Sequence, residues 1–126
     1  ELLDTIFSSL SDKPIRLDLQ IDAVTLVTEK AVPLGLIINE VATNAVKHGF
    51  AGTEEPQFGM TLQEDEGAGV YTLKLYNNGK AFPEDISMDN PDTLGLRIIS
   101  ELVKQIDGTV ELKHAPRPEF TITFEK

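Results

Sequence analysis

The chain has 126 residues, enough for one domain around one core, and its 40% hydrophobic and 25% charged content is that of an ordinary globular domain. Eleven Lys and Arg against 21 Asp and Glu leave a net charge of −10, which argues against general nucleic-acid binding, which wants a basic surface, and against anionic membranes. A nucleotide remains allowed, because a phosphate site needs only local donors and a metal. The absence of cysteine excludes disulfides, zinc–thiolate sites and cysteine nucleophiles, and two histidines are too few for a histidine metal cluster. No apolar run reaches the length of a membrane span, and the N-terminus is not a signal peptide. The chain begins without methionine and in mid-pattern, as a segment cut from a longer protein would.

Glu1 to Leu10 carries Leu2, Leu3, Ile6, Phe7 and Leu10 at helical spacing and reads as the junction to an upstream helical domain; Lys13-Pro14 ends it. Ile15 to Ile21 alternates, with Ile15, Leu17, Leu19 and Ile21 inward, and predicts a half-buried strand. A short helical stretch near Thr28 or Glu29 leads into a long helix from Pro33 to Phe50, with Pro33 placed where a helix start tolerates it. Phe58 to Gln63 and Val70 to Tyr76 alternate on either side of a turn and predict a hairpin, with Tyr71, Leu73 and Leu75 on one face.

Asn77 to Thr93 is a polar loop of the length that functional loops have. A helix from Leu94 to Ile106 follows, burying Leu96, Ile99, Leu102, Val103 and Ile106, with Gly108 at the position of a left-handed cap. Thr109 to Lys113 and Phe120 to Phe124 close the chain as two strands. Residues 1–126 thus form one α+β domain, a two-layer sandwich with a mixed, mostly antiparallel sheet of about five strands and helices on one face.

Three features lie outside this scaffold. Glu40, Asn44 and Lys47 line one side of the long helix beside its apolar face, with His48 at the border. A carboxylate, an amide and an ammonium in a row suit an ion or a phosphate; they equally suit a solvated polar face. Asn77-Asn78-Gly79 follows a strand directly, a turn sequence as much as a ligand loop. Thr93-Leu94-Gly95-Leu96 opens the second helix, where a missing side chain lets a phosphate reach free N–H groups at the positive end of the helix dipole.

The order of these pieces (N-E-x-x-x-N-A-x-K-H on a helix, a strand ending in N-G, a long loop, then L-G-L opening a helix) resembles the GHKL ATPase superfamily from about Ile15 to Phe124. Within it, PLGLIINEVATNAVKHGF looks like the first box of the catalytic ATP-binding domain of two-component sensor histidine kinases. The resemblance implies a Bergerat-type fold with ATP and Mg²⁺ as cofactors. It implies Asn44 as the metal ligand, Glu40 as a catalytic group that orients water, Lys47 on phosphate oxygens and His48 lining the nucleotide. Leu94, Gly95 and Leu96 match the box closing over the phosphates, while Asn77 and Gly79 match the adenine end. The implied activity is transfer of the γ-phosphate to a histidine on a separate dimerisation domain of the same parent protein, ahead of a response regulator. The acceptor would precede Glu1 and is neither His48 nor His114. A cytoplasmic location follows, without direct contact to membrane or nucleic acid.

Two positions depart from the family pattern. Its aspartate–x–glycine–x–glycine box reads Asn77-Asn78-Gly79-Lys80-Ala81 here. The Asn77 carbonyl can accept from the adenine amino group and its NH₂ can donate to the neighbouring ring nitrogen; guanine, with two donors on that edge, suits it poorly. The charge-assisted bond of an aspartate, about twice as strong as a neutral one, is lost. Ala81 costs on the order of 1 kcal/mol if its position needs positive φ. The same boxes fit an anti-sigma-factor-type serine kinase, and the altered glycine box fits a degenerate module that acts through protein contacts.

Overall fold

The computed structural model describes residues 15–22, 26–46, 55–65, 67, 69–79, 94–114 and 117–125. Lys47, His48, Ala81, the segment Glu1 to Leu10 and the loop 80–93 lie outside them. The elements run β1 (Arg16–Ile21), α1 (Thr28–Asn44), β2 (Gln57–Asp65), β3 (Val70–Asn77), α2 (Leu94–Gln105), β4 (Thr109–Lys113) and β5 (Glu119–Glu125).

The five strands form one sheet in the order β1-β2-β3-β5-β4. β1 pairs parallel with β2, Leu17 opposite Phe58 and Leu19 opposite Met60, while the other pairs are antiparallel. A parallel pair needs a crossover connection, and α1 supplies it. Strict alternation sends Phe58, Met60 and Leu62 of β2, Tyr71, Leu73 and Leu75 of β3 and Phe120, Ile122 and Phe124 of β5 to one face. Leu34, Ile37, Val41, Ala42 and Ala45 from the first helical segment and Leu96, Ile99, Leu102, Val103 and Ile106 from the second complete a single core on that face. Each fully buried Ile, Leu or Phe contributes about 1.5–3 kcal/mol, so this layer supplies most of the driving force. The mixed two-layer α+β sandwich expected from the alternation is the observed fold.

Four details differ from the sequence reading. The first helix is continuous from Thr28, with Pro33 inside it and no side-chain cap at Val27. So close to the start, Pro33 removes one ladder bond, and its burial beside Leu34 offsets that loss. Helical spacing puts Leu34, Ile38, Val41 and Ala45 on the apolar face, whereas in the structure Ile37 lies in the core with Leu34, Val41 and Ala45 and Ile38 packs at its margin. Ile21 is 51% exposed, because it ends an outer strand of the sheet.

The fourth detail is the end of α2. Asp107, with φ 55°, takes the left-handed position. The Asp107 N–H donates to the Lys104 carbonyl at 3.0 Å and the Gly108 N–H to the Val103 carbonyl at 3.0 Å, the paired bonds of a Schellman cap. Gly108 is needed for space: a Cβ there would stand 2.8 Å from the Thr123 carbonyl oxygen. The Ile106 carbonyl at this negative end of the helix accepts from Lys30 Nζ of α1 at 2.7 Å.

The opposite face of the sheet is polar. Across it runs a row of paired residues, Asp18 on β1, Gly59 on β2, Tyr76 on β3 and Glu119 on β5. The Tyr76 ring covers Gly59, leaving no room there for a Cβ. Its hydroxyl donates to Asp18 Oδ2 at 2.8 Å, and the Arg117 guanidinium stacks 3.9 Å from the ring centroid. Burial, reinforced by the Asp18 carboxylate, holds the Tyr76 phenol above its ordinary pKa.

Two outcomes test this account. Asp107→Gly relieves the left-handed strain and raises stability by about 0.5–1 kcal/mol, read as a higher urea midpoint at unchanged slope. Lys30→Met leaves the Ile106 carbonyl unpaired and lowers stability by about 1–2 kcal/mol in the same measurement; no loss would remove Lys30 from the cap.

Candidate functional site

Glu40 and Asn44 are one turn apart near the end of α1, both half-buried, and so point the same way. Asn44 is the last residue of the regular helix. Ala45 keeps right-handed angles (φ −60°, ψ −45°) with its N–H shared between the Ala42 and Val41 carbonyls. The ladder then widens to the i→i+5 register at Ala45 and Val46, a change that recurs at functional sites.

The start of α2 meets these two side chains. A methyl group built on Gly95 would stand 3.0 Å from Asn44 Nδ2, 3.1 Å from Asn44 Oδ1 and 3.4 Å from Glu40 Oε2. Gly95 is therefore what lets the first turn of α2 come against the polar stripe of α1. That turn is the positive end of the helix dipole and has no acidic residue of its own. An amide oxygen, a carboxylate and a dipole end thus converge on one point from two helices. Leu96 beside them is 4% exposed and belongs to the core, whereas Leu94 is 74% exposed at the surface.

Asn77 occupies a second position. It ends β3 and continues the inward row of Tyr71, Leu73 and Leu75 past the rim of the apolar core. At 7% exposure it is the only buried polar or charged residue among those described, and a buried polar group is the informative exception to an apolar interior. Its Oδ1 accepts from the Gly79 N–H at 2.8 Å, and its own N–H donates to the Pro118 carbonyl at 3.4 Å. The next residue does different work. Asn78 accepts from the Gln57 N–H through Oδ1 at 2.7 Å and donates through Nδ2 to the Glu55 carbonyl at 2.9 Å, tying the turn to the start of β2.

Of the residues singled out in the sequence, the structure brings Glu40, Asn44 and Gly95 to one point and Asn77 and Gly79 to another. The Asp18–Tyr76–Arg117 row was invisible in the sequence. Alternation places Tyr76 opposite Leu75, but nothing in the spacing names Asp18, 58 residues away, as its partner.

A helix carrying Glu40 and Asn44, a buried asparagine at a strand end and a glycine opening the next helix lie on one face of a mixed sheet in a two-layer α+β domain. The family model of the histidine kinase-, DNA gyrase B- and HSP90-like ATPases matches residues 29–126, and the chain belongs to that family. Among relatives, it is 26% identical over 121 residues to sensor histidine kinase PdtaS of Mycobacterium tuberculosis, covering 91% of this chain and 24% of that protein. It is 30% identical over 98 residues to blue-light-activated histidine kinase 2 of Erythrobacter litoralis, covering 78% of this chain and 28% of the relative. The chain thus spans about a quarter of the length of these curated relatives. In fold it is similar to the histidine kinase domain of the Erythrobacter litoralis EL346 blue-light-activated histidine kinase. That match has a TM-score of 0.86 at 23% identity and covers 98% of this chain and 57% of the solved one. No helix among the described residues is long and apolar enough to cross a membrane.

Gly95→Ala separates the two roles of that glycine. Alanine favours the helix by about 1 kcal/mol, yet its methyl presses on Asn44. The expected result is a stability change within about 1 kcal/mol together with a clear shift of the Asn44 side-chain amide resonances in NMR. Unmoved Asn44 resonances would show that the helices do not meet at this point.

Proposed function

We propose that this chain is the ATP-binding catalytic domain of a two-component sensor histidine kinase, one unit of a longer protein. It binds Mg²⁺-ATP and presents the γ-phosphate to a histidine on a dimerisation domain of the same parent, from which a response regulator receives it. The observation that carries this reading is the meeting of Asn44 and Glu40 with the first turn of α2 at Gly95. Family membership and relatives named as sensor histidine kinases support it.

The donor set fits the metal. Among the described residues no group of three or more His, Cys, Asp or Glu gathers into a cage. Mg²⁺ rarely uses one: it keeps several waters and takes one or two protein oxygens together with substrate phosphates. Asn44 Oδ1 would be that protein oxygen, hard and neutral, held half-buried at the helix end. Bound there, Mg²⁺ would neutralise the phosphate charge that otherwise opposes attack.

The protein's own part is positioning. Glu40, one turn before Asn44, would orient water beside the bound metal, and its carboxylate lies toward the positive end of α2 at Gly95. The positive end of α2 at Gly95 favours the phosphate charge, with Leu96 anchoring that turn in the core and exposed Leu94 at its mouth. Asn77 and Gly79 hold the base at the sheet rim. Lys47 and His48, which follow on the same sequence stripe, add a cation for the phosphates and a lining group for the nucleotide. Phosphoryl transfer needs little else from this half, since alignment and charge neutralisation carry most of its catalysis.

Calorimetry of the chain with Mg²⁺ and a non-hydrolysable ATP analogue tests the assignment. Asn44→Ala keeps the fold, alanine being the better helix former, and lowers the Mg²⁺-dependent affinity by roughly 10–100-fold or more. Unchanged affinity would sink the metal role of Asn44.

A further inference from the structure

The Asn77–Gly79 bond decides which end of the Asn77 amide is free. The Gly79 backbone N–H can meet only an acceptor, so Oδ1 is the end held at 2.8 Å. The reversed amide would set two donors against each other in a site that is 7% exposed. The Nδ2–H₂ group is therefore the edge that the side chain offers a ligand. An aspartate here would satisfy Gly79 with one oxygen and offer the other as an acceptor. Asparagine reverses that polarity and offers donors.

We infer that Asn77 is a specificity-determining residue that opens the base subsite to 6-oxopurine nucleotides of the hypoxanthine type, on a par with adenine. This rests on the nucleotide-binding role proposed above. The O6 of hypoxanthine accepts from Nδ2, and its N1–H donates to the second lone pair of Oδ1, a two-point match. Adenine makes a two-point match of its own, N1 accepting from Nδ2 and the N6 amino group donating to that same lone pair of Oδ1. Guanine shares the O6 and N1–H edge but adds a 2-amino group for which Asn77 has no further acceptor. A carboxylate at this position would instead face O6 with a like-charged lone pair and reject it.

The test compares Mg²⁺-ADP with Mg²⁺-IDP by calorimetry on the wild-type chain and on Asn77→Asp, which keeps an acceptor for the Gly79 N–H and so preserves the turn. The wild type is expected to bind the two diphosphates within about threefold of each other. Asn77→Asp tightens ADP and weakens IDP, moving the ratio by roughly tenfold or more. A wild-type preference for ADP of roughly a hundredfold, or a ratio the same in both proteins, overturns the inference. If ADP binds in a manner that Asn44→Ala abolishes while IDP is refused, this inference alone falls. If neither diphosphate binds, it falls together with the proposed function.

Discussion

The two helices run in opposite directions over the sheet and are held at both ends. At one end the Lys30 ammonium reaches the Ile106 carbonyl, beside the Schellman cap that closes α2. At the other, Gly95 lets the first turn of α2 come within contact distance of Asn44 and Glu40. Between them lies the apolar seam of Leu34, Ile37, Val41, Leu96, Ile99 and Val103 on the sheet. The seam supplies the energy and the ends set the register. A slide of one helix turn, 5.4 Å, would cost little apolar area yet separate Gly95 from Asn44 entirely. The polar point between the helices depends on a register fixed far from it, at Lys30.

The sheet supplies the second constraint. Because side chains alternate along β3, the row that fills the core must put residue 77 on the inward face as well. At that position the core has ended, so a polar side chain can be buried provided its bonds are met, and the Gly79 N–H meets one. Asn78, pointing the other way, ties the turn to Gln57 and Glu55. Adjacent asparagines thus point opposite ways: Asn78 ties the turn to β2, and Asn77 is buried at the rim of the core with its Oδ1 on the Gly79 N–H. On the outer face, Tyr76 follows the same alternation, covering Gly59 and joining Asp18 to Arg117. That row stiffens the sheet behind Asn77 without entering the site.

Most of the architecture was legible in the sequence because it rests on short-range periodicity. The strand alternation at Phe58, Met60 and Leu62 and at Tyr71, Leu73 and Leu75, and the apolar stripe of α2, named core residues that are buried. The misreadings share a cause. Pro33 looked like a helix boundary, and Gly108 looked like the left-handed residue, because local propensity favours both assignments. Tertiary packing overrode the first, and the crowding of Thr123 against Gly108 explains the second glycine by space while Asp107 takes the strained angle.

The sequence by itself determined the alternating strands, the two amphipathic helices, the order of the boxes and hence the family, since these follow from residue type at fixed local spacing. Only the tertiary structure decided that Gly95 closes on Asn44 and Glu40, 51 and 55 positions earlier in the chain. It alone decided that Lys30 caps α2, that Tyr76 pairs with Asp18, and that the Asn77 carbonyl turns to Gly79. Each of these is a contact between groups whose separation depends on helix register, strand pairing or backbone turn, and no local periodicity encodes a distance across the fold.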